Sequence, residues 1–409
     1  MLSFEQKMER YAELAVKVGA NVQPGQTLVV NAMIEAASLV RLIVKHAYQA
    51  GAKLVKVNYS DEVVTRIRYD LAPEESFTEP PTYFANEVTE LAEQGAAFIT
   101  ILSSNPDLMK GVDPERISTY QRTYGAAMSR YRQYQQADKM SWNGIAFASP
   151  DWAAKVFPDV PKEQQVAKMW DAIFHAVRAD LEDPIGAWED HIDTLQRKSD
   201  ELNHKKYHKL RFTSTGTDLT IELPEGHIWA QAGSYNEKGE RFVANIPTEE
   251  VFTAPLKTGV NGTVRSTKPL SYGGNIIDNF SLTFENGRIV KFSAEQGEDT
   301  LSRLISMDEG SHYLGEVALV PFRSPISESG ILYYNTLFDE NASCHLAIGS
   351  AYAFNLEGGK TMKPEELQAR GMNSSITHVD FMMGSKELNI IGITHDGKEE
   401  PVFIDGNWA

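Results

Sequence analysis

The hydrophobic pattern of this 409-residue chain changes period once, near residue 207, and that change limits the architectures open to it. Ahead of it, short apolar runs alternate with helical patterns. Tyr11, Leu14, Ala15 and Val18 share one helical face, and the Pro24-Gly25 turn leads into a buried strand at 27–31. Residues 35–50 then set Ala36, Leu39, Val40, Ile43 and Ala47 on one face of a helix that Gly51 stops. Further strands are expected at 54–59, 96–102 and 145–148. Strands separated by helices in this way imply a mostly parallel sheet covered on both faces. Asp183-Pro184 opens another helix in the favoured capping order, with Ile185, Trp188, Ile192, Leu195 and Leu202 as its stripe to about residue 206.

Beyond that point the period becomes two, in segments at 219–223, 281–284, 289–292 and 317–320, and Asn286-Gly287 is a hairpin signal. A helix at 299–306 interrupts them. The expected fold class is α/β: an N-terminal parallel-sheet α/β domain over 1–207, then a β-rich α+β catalytic domain over 208–409. Residues 72–82, with three prolines, read as a loop or lid, and 346–354 read as a helix.

Charge and cysteine content exclude several functions. Lys plus Arg total 39 against 56 Asp plus Glu, a formal charge of −17, so the surface repels phosphate backbones and no nucleic-acid partner is expected. Cys344 is the only cysteine, which excludes an intrachain disulfide framework and a Cys-rich zinc ribbon and suits a reducing cytoplasm. The start alternates charged and apolar positions without a signal-peptide h-region, and no apolar stretch approaches a membrane span, so no membrane partner is expected. Gly358-Gly359-Lys360-Thr361 imitates the end of a phosphate-binding loop, but Phe354 stands where that motif needs its first glycine. Neither a G-x-S-x-G elbow nor an H-E-x-x-H helix occurs. His204 and His208 flank Lys205 and Lys206, whose charge opposes a cation, and read as a solvated helix end.

The second half brings acids and histidines beside short apolar strands. In Thr377-His378-Val379-Asp380-Phe381, strand alternation puts His378 and Asp380 on one face, ~7 Å apart, as metal ligands or as a hydrogen-bonded pair. Glu340 and His345 either close on one ion or belong to a capped helix with a core histidine, with Tyr352 seven residues beyond His345 on the same helical face. Glu316 enters an apolar run, where a buried carboxylate without a partner is costly, so it sits at an exposed end or meets a cation. Glu249 and Glu250 enter another such run, as capping acids or as ligands. Jointly, Glu250, Glu316, Glu340 and Asp380 carry four negative charges, which two divalent ions neutralise with His345 and His378 uncharged. Carboxylate and imidazole without thiolate suit zinc, cobalt or manganese, and bridged metal pairs are a standard hydrolytic arrangement.

Several ordered motifs carry a resemblance over the whole chain: Asn245-Ile-Pro-Thr-Glu-Glu-Val-Phe-Thr253, His312-Tyr-Leu-Gly-Glu-Val-Ala-Leu-Val320, the 338–354 segment and Thr377-His-Val-Asp-Phe-Met-Met-Gly384. The 152–159 stretch and the terminal Phe403-Ile-Asp-Gly-Asn-Trp408 extend it. The chain resembles the dimetal aminopeptidase family of aminopeptidase T, aminopeptidase S and PepS. That resemblance implies Glu250, Glu316, Glu340, His345, His378 and Asp380 as ligands of two divalent ions, with Glu316 bridging and Tyr352 as the site tyrosine. Zinc or cobalt is the expected metal, with manganese or magnesium as further options. A cytoplasmic homodimer, its active-site cavity enclosed by the partner, is also implied.

The expected reaction is hydrolysis of the N-terminal peptide bond of short peptides with a free N-terminus. A bridging hydroxide attacks the carbonyl, Tyr352 donates to the oxyanion, and Glu316, or less readily Glu249, shuttles the proton to the leaving amine. Two other classes use similar ligands. One is a non-catalytic metal-stabilised binding protein; the other is a dimetal phosphoesterase, which would also want arginines clustered near the motifs.

Overall fold

Four parallel strands, Thr27–Met33, Leu54–Ser60, Ala97–Leu102 and Trp142–Ala146, make the first sheet of the computed structural model, which describes residues 2–103, 105, 107–273 and 275–409. Their spatial order is second, first, third, fourth. All four expected strands are present, because parallel neighbours need helical crossovers and the sequence supplies them between the strands. Helix Ala37–Gln49 buries the expected stripe of Leu39, Val40, Ile43 and Ala47 and packs on the first two strands. On one sheet face, Val29 and Phe98 meet Ala85, Val88 and Ala92 of helix Thr82–Glu93, with Met128 and Met140.

The proline-rich stretch expected as a loop or lid is pinned down instead. It holds the short helix Glu75–Thr78, whose Phe77 is buried and stacks on Tyr69 with ring centroids 5.3 Å apart. One buried phenylalanine contributes about 1.5–3 kcal/mol, enough to fix a segment whose prolines alone suggest a loop.

The chain divides into two compact units, Met1–Asp190 with Gly233–Pro247, and His191–Ala232 with Thr248–Ala409. The expected boundary at 207 marks the end of helix Pro184–Lys205, but the units interleave on either side of it. From His191 onward the helix belongs with the β-rich unit, where Ser199 and Asn203 both donate to the Trp229 carbonyl. The hairpin Gly233–Tyr235 and Arg241–Val243 returns to the first unit, where Asn143 donates to the Val243 carbonyl and Gly144 bridges to Asn245.

The second unit contains a nine-stranded and a five-stranded sheet. In the larger sheet, strands Asn275–Glu285 and Arg288–Gln296 form the hairpin signalled by Asn286-Gly287. Both turn residues are left-handed, with φ of 49° and 81°, as a two-residue hairpin turn requires. A Cβ on Gly287 would lie 1.8 Å from the Lys257 carbonyl oxygen. Gly287→Ala should therefore destabilise the chain by roughly 2–4 kcal/mol, from left-handed strain plus a backbone clash. Asn286→Ala should cost on the order of 1 kcal/mol. Urea midpoints of the two variants at unchanged slope check the difference.

Candidate metal centre

Five antiparallel strands, Ala230–Gln231, Val251–Thr253, Leu314–Leu319, His345–Gly349 and His378–Met382, lie side by side in chain order. Their register gathers the chemistry. Phe252, Ala318, His345 and Met382 form one cross-strand row; Glu316, Ala347 and Asp380 form the next; Gly349 and His378 form a third. Because side chains alternate along a strand, these rows share one face, and Glu250, two residues before Phe252, joins them. Ala318, Ala347 and Gly349 are small, which leaves room above the sheet between the acids and imidazoles. On the opposite face, Phe381 packs 5.4 Å from the Phe280 ring of the nine-stranded sheet.

The helix expected over 346–354 is replaced by the strand His345–Gly349, every residue of it buried, and a short 3₁₀ turn at Ala353–Asn355. A continuous apolar run reads alike as a buried helix or a strand covered on both faces, and burial on both faces settles it here. Tyr352 therefore shares no helical face with His345. After Gly349, whose φ is 114° and whose added Cβ would lie 2.2 Å from the Thr377 carbonyl oxygen, the chain brings the Tyr352 ring to 4.8 Å from the His378 ring.

Glu316 stands between two histidines. Its Oε1 is 3.4 Å from His345 Nε2 and its Oε2 is 3.6 Å from His378 Nε2. His345 Nε2 also lies 3.1 Å from Glu250 Oε2, and His378 Nε2 lies 3.4 Å from Asp380 Oδ1. Two groups result, Glu250 with Glu316 and His345, and Glu316 with His378 and Asp380, each with one ligand atom per residue inside a 4.8 Å span. Glu340, on the 3₁₀ turn Glu340–Ala342, lies outside both tight groups yet feels the charges of Asp380, Glu250, His345 and Glu316. Glu249 is buried beside them. Its backbone N–H donates to Asn341 Oδ1 at 2.7 Å, and its carboxylate lies 3.4 Å from His191 Nε2.

These residues fit divalent cations. His345 Nδ1 is 3.2 Å from the Ser343 carbonyl and His378 Nδ1 is 2.7 Å from that of Ser350. Donation to those carbonyls leaves each Nε2 lone pair directed at carboxylate oxygens, the orientation of a metal-ligating imidazole. Glu250 Oε2 and Asp380 Oδ1 are buried and lie 3.1 and 3.4 Å from these Nε2 atoms. In the metal-free state protons gather at the cluster. Burial, reinforced by Asp380 and opposed by His345, pushes the Glu316 carboxyl up to about 7, and burial with the Asp380 and Glu250 charges raises Glu340 well above its ordinary value. Although burial opposes it, Asp380 and Glu316 bring His378 up to about 10.

Other candidates resolve differently. The Cys344 thiol is buried, pushed up to about 12 by that burial, and exchanges hydrogen bonds with the Val320 backbone. His208 stacks on His395 at 4.7 Å, and among the described residues neither it nor His204 joins a metal-holding group. Gly359–Thr361 is a 3₁₀ turn with Lys360 exposed. Sequence reasoning missed His191, which no local pattern marks, and the half-buried Phe252 and Phe354, which resemble ordinary core aromatics.

Buried carboxylates and imidazoles without thiolate are the donor set of a metal-dependent hydrolase. Residues 4–408 match the model of the family described as thermophilic metalloprotease (M29). The chain is 60% identical over 409 residues, the whole of both chains, to aminopeptidase AmpS of Bacillus subtilis. It is 54% identical to aminopeptidase 2 of Geobacillus stearothermophilus, over 100% of this chain and 99% of that one. Wild-type AmpT from Thermus thermophilus, 40% identical, has the same fold at a TM-score of 0.94 with 100% of both chains covered. The chain belongs to the M29 metalloprotease family and is a metal-dependent aminopeptidase, as its motifs led one to expect.

Chelation should lower the melting temperature, and a divalent cation at a hundredfold excess over Kd should restore about 2.7 kcal/mol. Under chelation the folded chain holds the Glu316 proton up to about 7 and the unfolded chain only to 4.5. The folded state thus binds more protons in that window, so stability should fall as pH rises from 4.5 to 7. Melting curves across that range, with and without chelator, check both effects; saturating metal should flatten the slope.

Proposed function

We propose that this enzyme is a dimetal aminopeptidase releasing single residues from short peptides with a free N-terminus. The observation that carries this reading is the placement of Glu316 between His345 and His378, one carboxylate oxygen toward each. Glu250, Glu316 and His345 would hold one ion and Glu316, His378 and Asp380 the other, with Glu340 completing the set. Zinc or cobalt suits these donors best, with manganese or magnesium as alternatives. When bound, such a pair supplies an acidified water and polarises the scissile carbonyl.

The chain's own groups do the rest. Burial, with the charges of Glu316 and Asp380, raises the Tyr352 phenol well above its ordinary value, so it keeps its proton. It can then donate to the carbonyl oxygen as negative charge develops there. A carboxylate of the centre, Glu316 or less directly Glu249, would take the attacking water's proton on an oxygen not engaged with an ion and deliver it to the leaving amine. A free α-amine offers the centre a nitrogen lone pair that an acetylated one lacks, which favours cleavage from the amino end. Relatives named aminopeptidases support a peptide substrate over the phosphoester that a similar donor set would serve.

We also infer a cytoplasmic homodimer. Val63, Val64, Ile67 and Leu71 lie exposed along one side of helix Glu62–Leu71, an apolar patch suited to a second copy of the chain. A single buried cysteine makes no demand for an oxidising compartment. No helix among the described residues is long and apolar enough to cross a membrane.

The metal-loaded enzyme should hydrolyse free tripeptides and leave their N-acetylated forms intact. Equal turnover of both in a product assay would remove the exopeptidase reading. Tyr352→Phe should keep its metal and KM while kcat falls ~10²–10³-fold, or about 2.7–4 kcal/mol. Full metal content with kcat within about threefold of the parent would take Tyr352 out of the mechanism.

A further inference from the structure

Phe252, Tyr352 and Phe354 form an aromatic cluster beside the centre, of which the ligand chemistry uses only the tyrosine hydroxyl. Tyr352 and Phe354 stack with centroids 5.2 Å and planes 12° apart, and Phe252 meets both edge-on at 6.3 and 6.0 Å. All three are half-buried. Phe252 rises from the ligand face, two residues beyond Glu250 and opposite Ala318, while its neighbours Val251 and Thr253 are fully buried. Its partial exposure thus belongs to the side chain and not to a loose strand. The Lys360 ammonium, 5.9 Å from the Phe354 ring, marks the solvent side of the cluster.

We propose that Phe252 and Phe354 wall the subsite for the side chain of the substrate's N-terminal residue and select large apolar or aromatic residues there. This rests on the aminopeptidase reading. With the free α-amine held at the centre, the Cα beside it must lie close to the ligands, so its side chain has only nearby surface to fill. The aromatic cluster is that surface, since Tyr352 touches His378 directly. The following residue of the peptide lies ~3.3–3.6 Å further along an extended chain. An apolar side chain gains by leaving water against these rings. An acidic one would lose its hydration against these rings without gaining a partner.

The test compares the dipeptides Phe-Ala, Leu-Ala, Ala-Ala, Asp-Ala and Ala-Phe on the metal-loaded full chain. The parent should prefer Phe-Ala and Leu-Ala over Ala-Ala, with Asp-Ala poorest. Phe354→Ala should lower kcat/KM for Phe-Ala and Leu-Ala by about 10- to 100-fold and for Ala-Ala by less than about threefold. Phe354→Leu, which keeps an apolar wall and guards against a folding defect, should retain most Leu-Ala activity. Calorimetry supplies a readout free of turnover: the parent should bind phenylalaninol at least about tenfold tighter than alaninol, and Phe354→Ala should erase that preference. Equal loss on every dipeptide, or a change that follows Ala-Phe and not Phe-Ala, would overturn the subsite. If the parent cleaved none of them, the aminopeptidase reading would fail, and the phenylalaninol preference would still decide the wall.

Discussion

Buried negative charge converging on one carboxylate is the constraint that the surrounding structure serves. Glu316 lies mid-sheet in a strand whose six residues are all buried, with a histidine near each of its oxygens and further acids behind them. Such an assembly is unfavourable in a low-dielectric interior unless cations or protons compensate it. Its geometry therefore cannot be left to flexible loops. Register supplies it: paired strands place Glu316, Asp380 and His345 in adjacent rows, and small residues between them keep the space above open. The imidazoles are oriented by backbone carbonyls and not by side chains free to turn away.

Adjacent carboxylates show how local structure divides roles. Asp339 is buried, and its two oxygens accept backbone N–H groups from Tyr333 and Asn335, so it holds a loop together. Burial still pushes it up to about 6. Glu340, the next residue, lies within the electrostatic reach of the other acids of the centre. Asn341 then reaches the backbone of Glu249, fixing the turn that carries Glu340 to the segment that carries Glu250. Three consecutive residues thus make a brace, a candidate ligand and a tie, and nothing in their composition distinguishes the first two.

This explains how far the sequence could be read. The parallel strands were legible because apolar runs punctuated by glycine and helical stripes leave few alternatives, and Asn286-Gly287 announced its hairpin directly. The acids and histidines were legible by type, since charged residues entering apolar strands demand a partner. The conformation of 346–354 was not legible, because a wholly buried run carries no period to tell helix from strand. Phe77 shows the converse, where one buried ring outweighs the local preference of three prolines. The interleaving of the two units was hidden too, since the hairpin at 233–243 is placed by Asn143 and Gly144, about a hundred residues upstream. Phe252 and Phe354 meet only through register and the turn after Gly349, information held in neither segment alone.

Tyr352 ties these layers together. One side of its ring faces His378 and another stacks on Phe354, so the proposed oxyanion donor and the proposed side-chain wall are a single packed unit. Contact energy from a side chain resting on the wall is then available to hold the phenol in place as charge develops on the carbonyl oxygen. Binding energy used this way appears in kcat as well as in KM. A small N-terminal residue would leave the proposed wall unfilled and the donor less constrained. On the proposed reading, selectivity for the N-terminal residue and stabilisation of the transition state would draw on the same three rings.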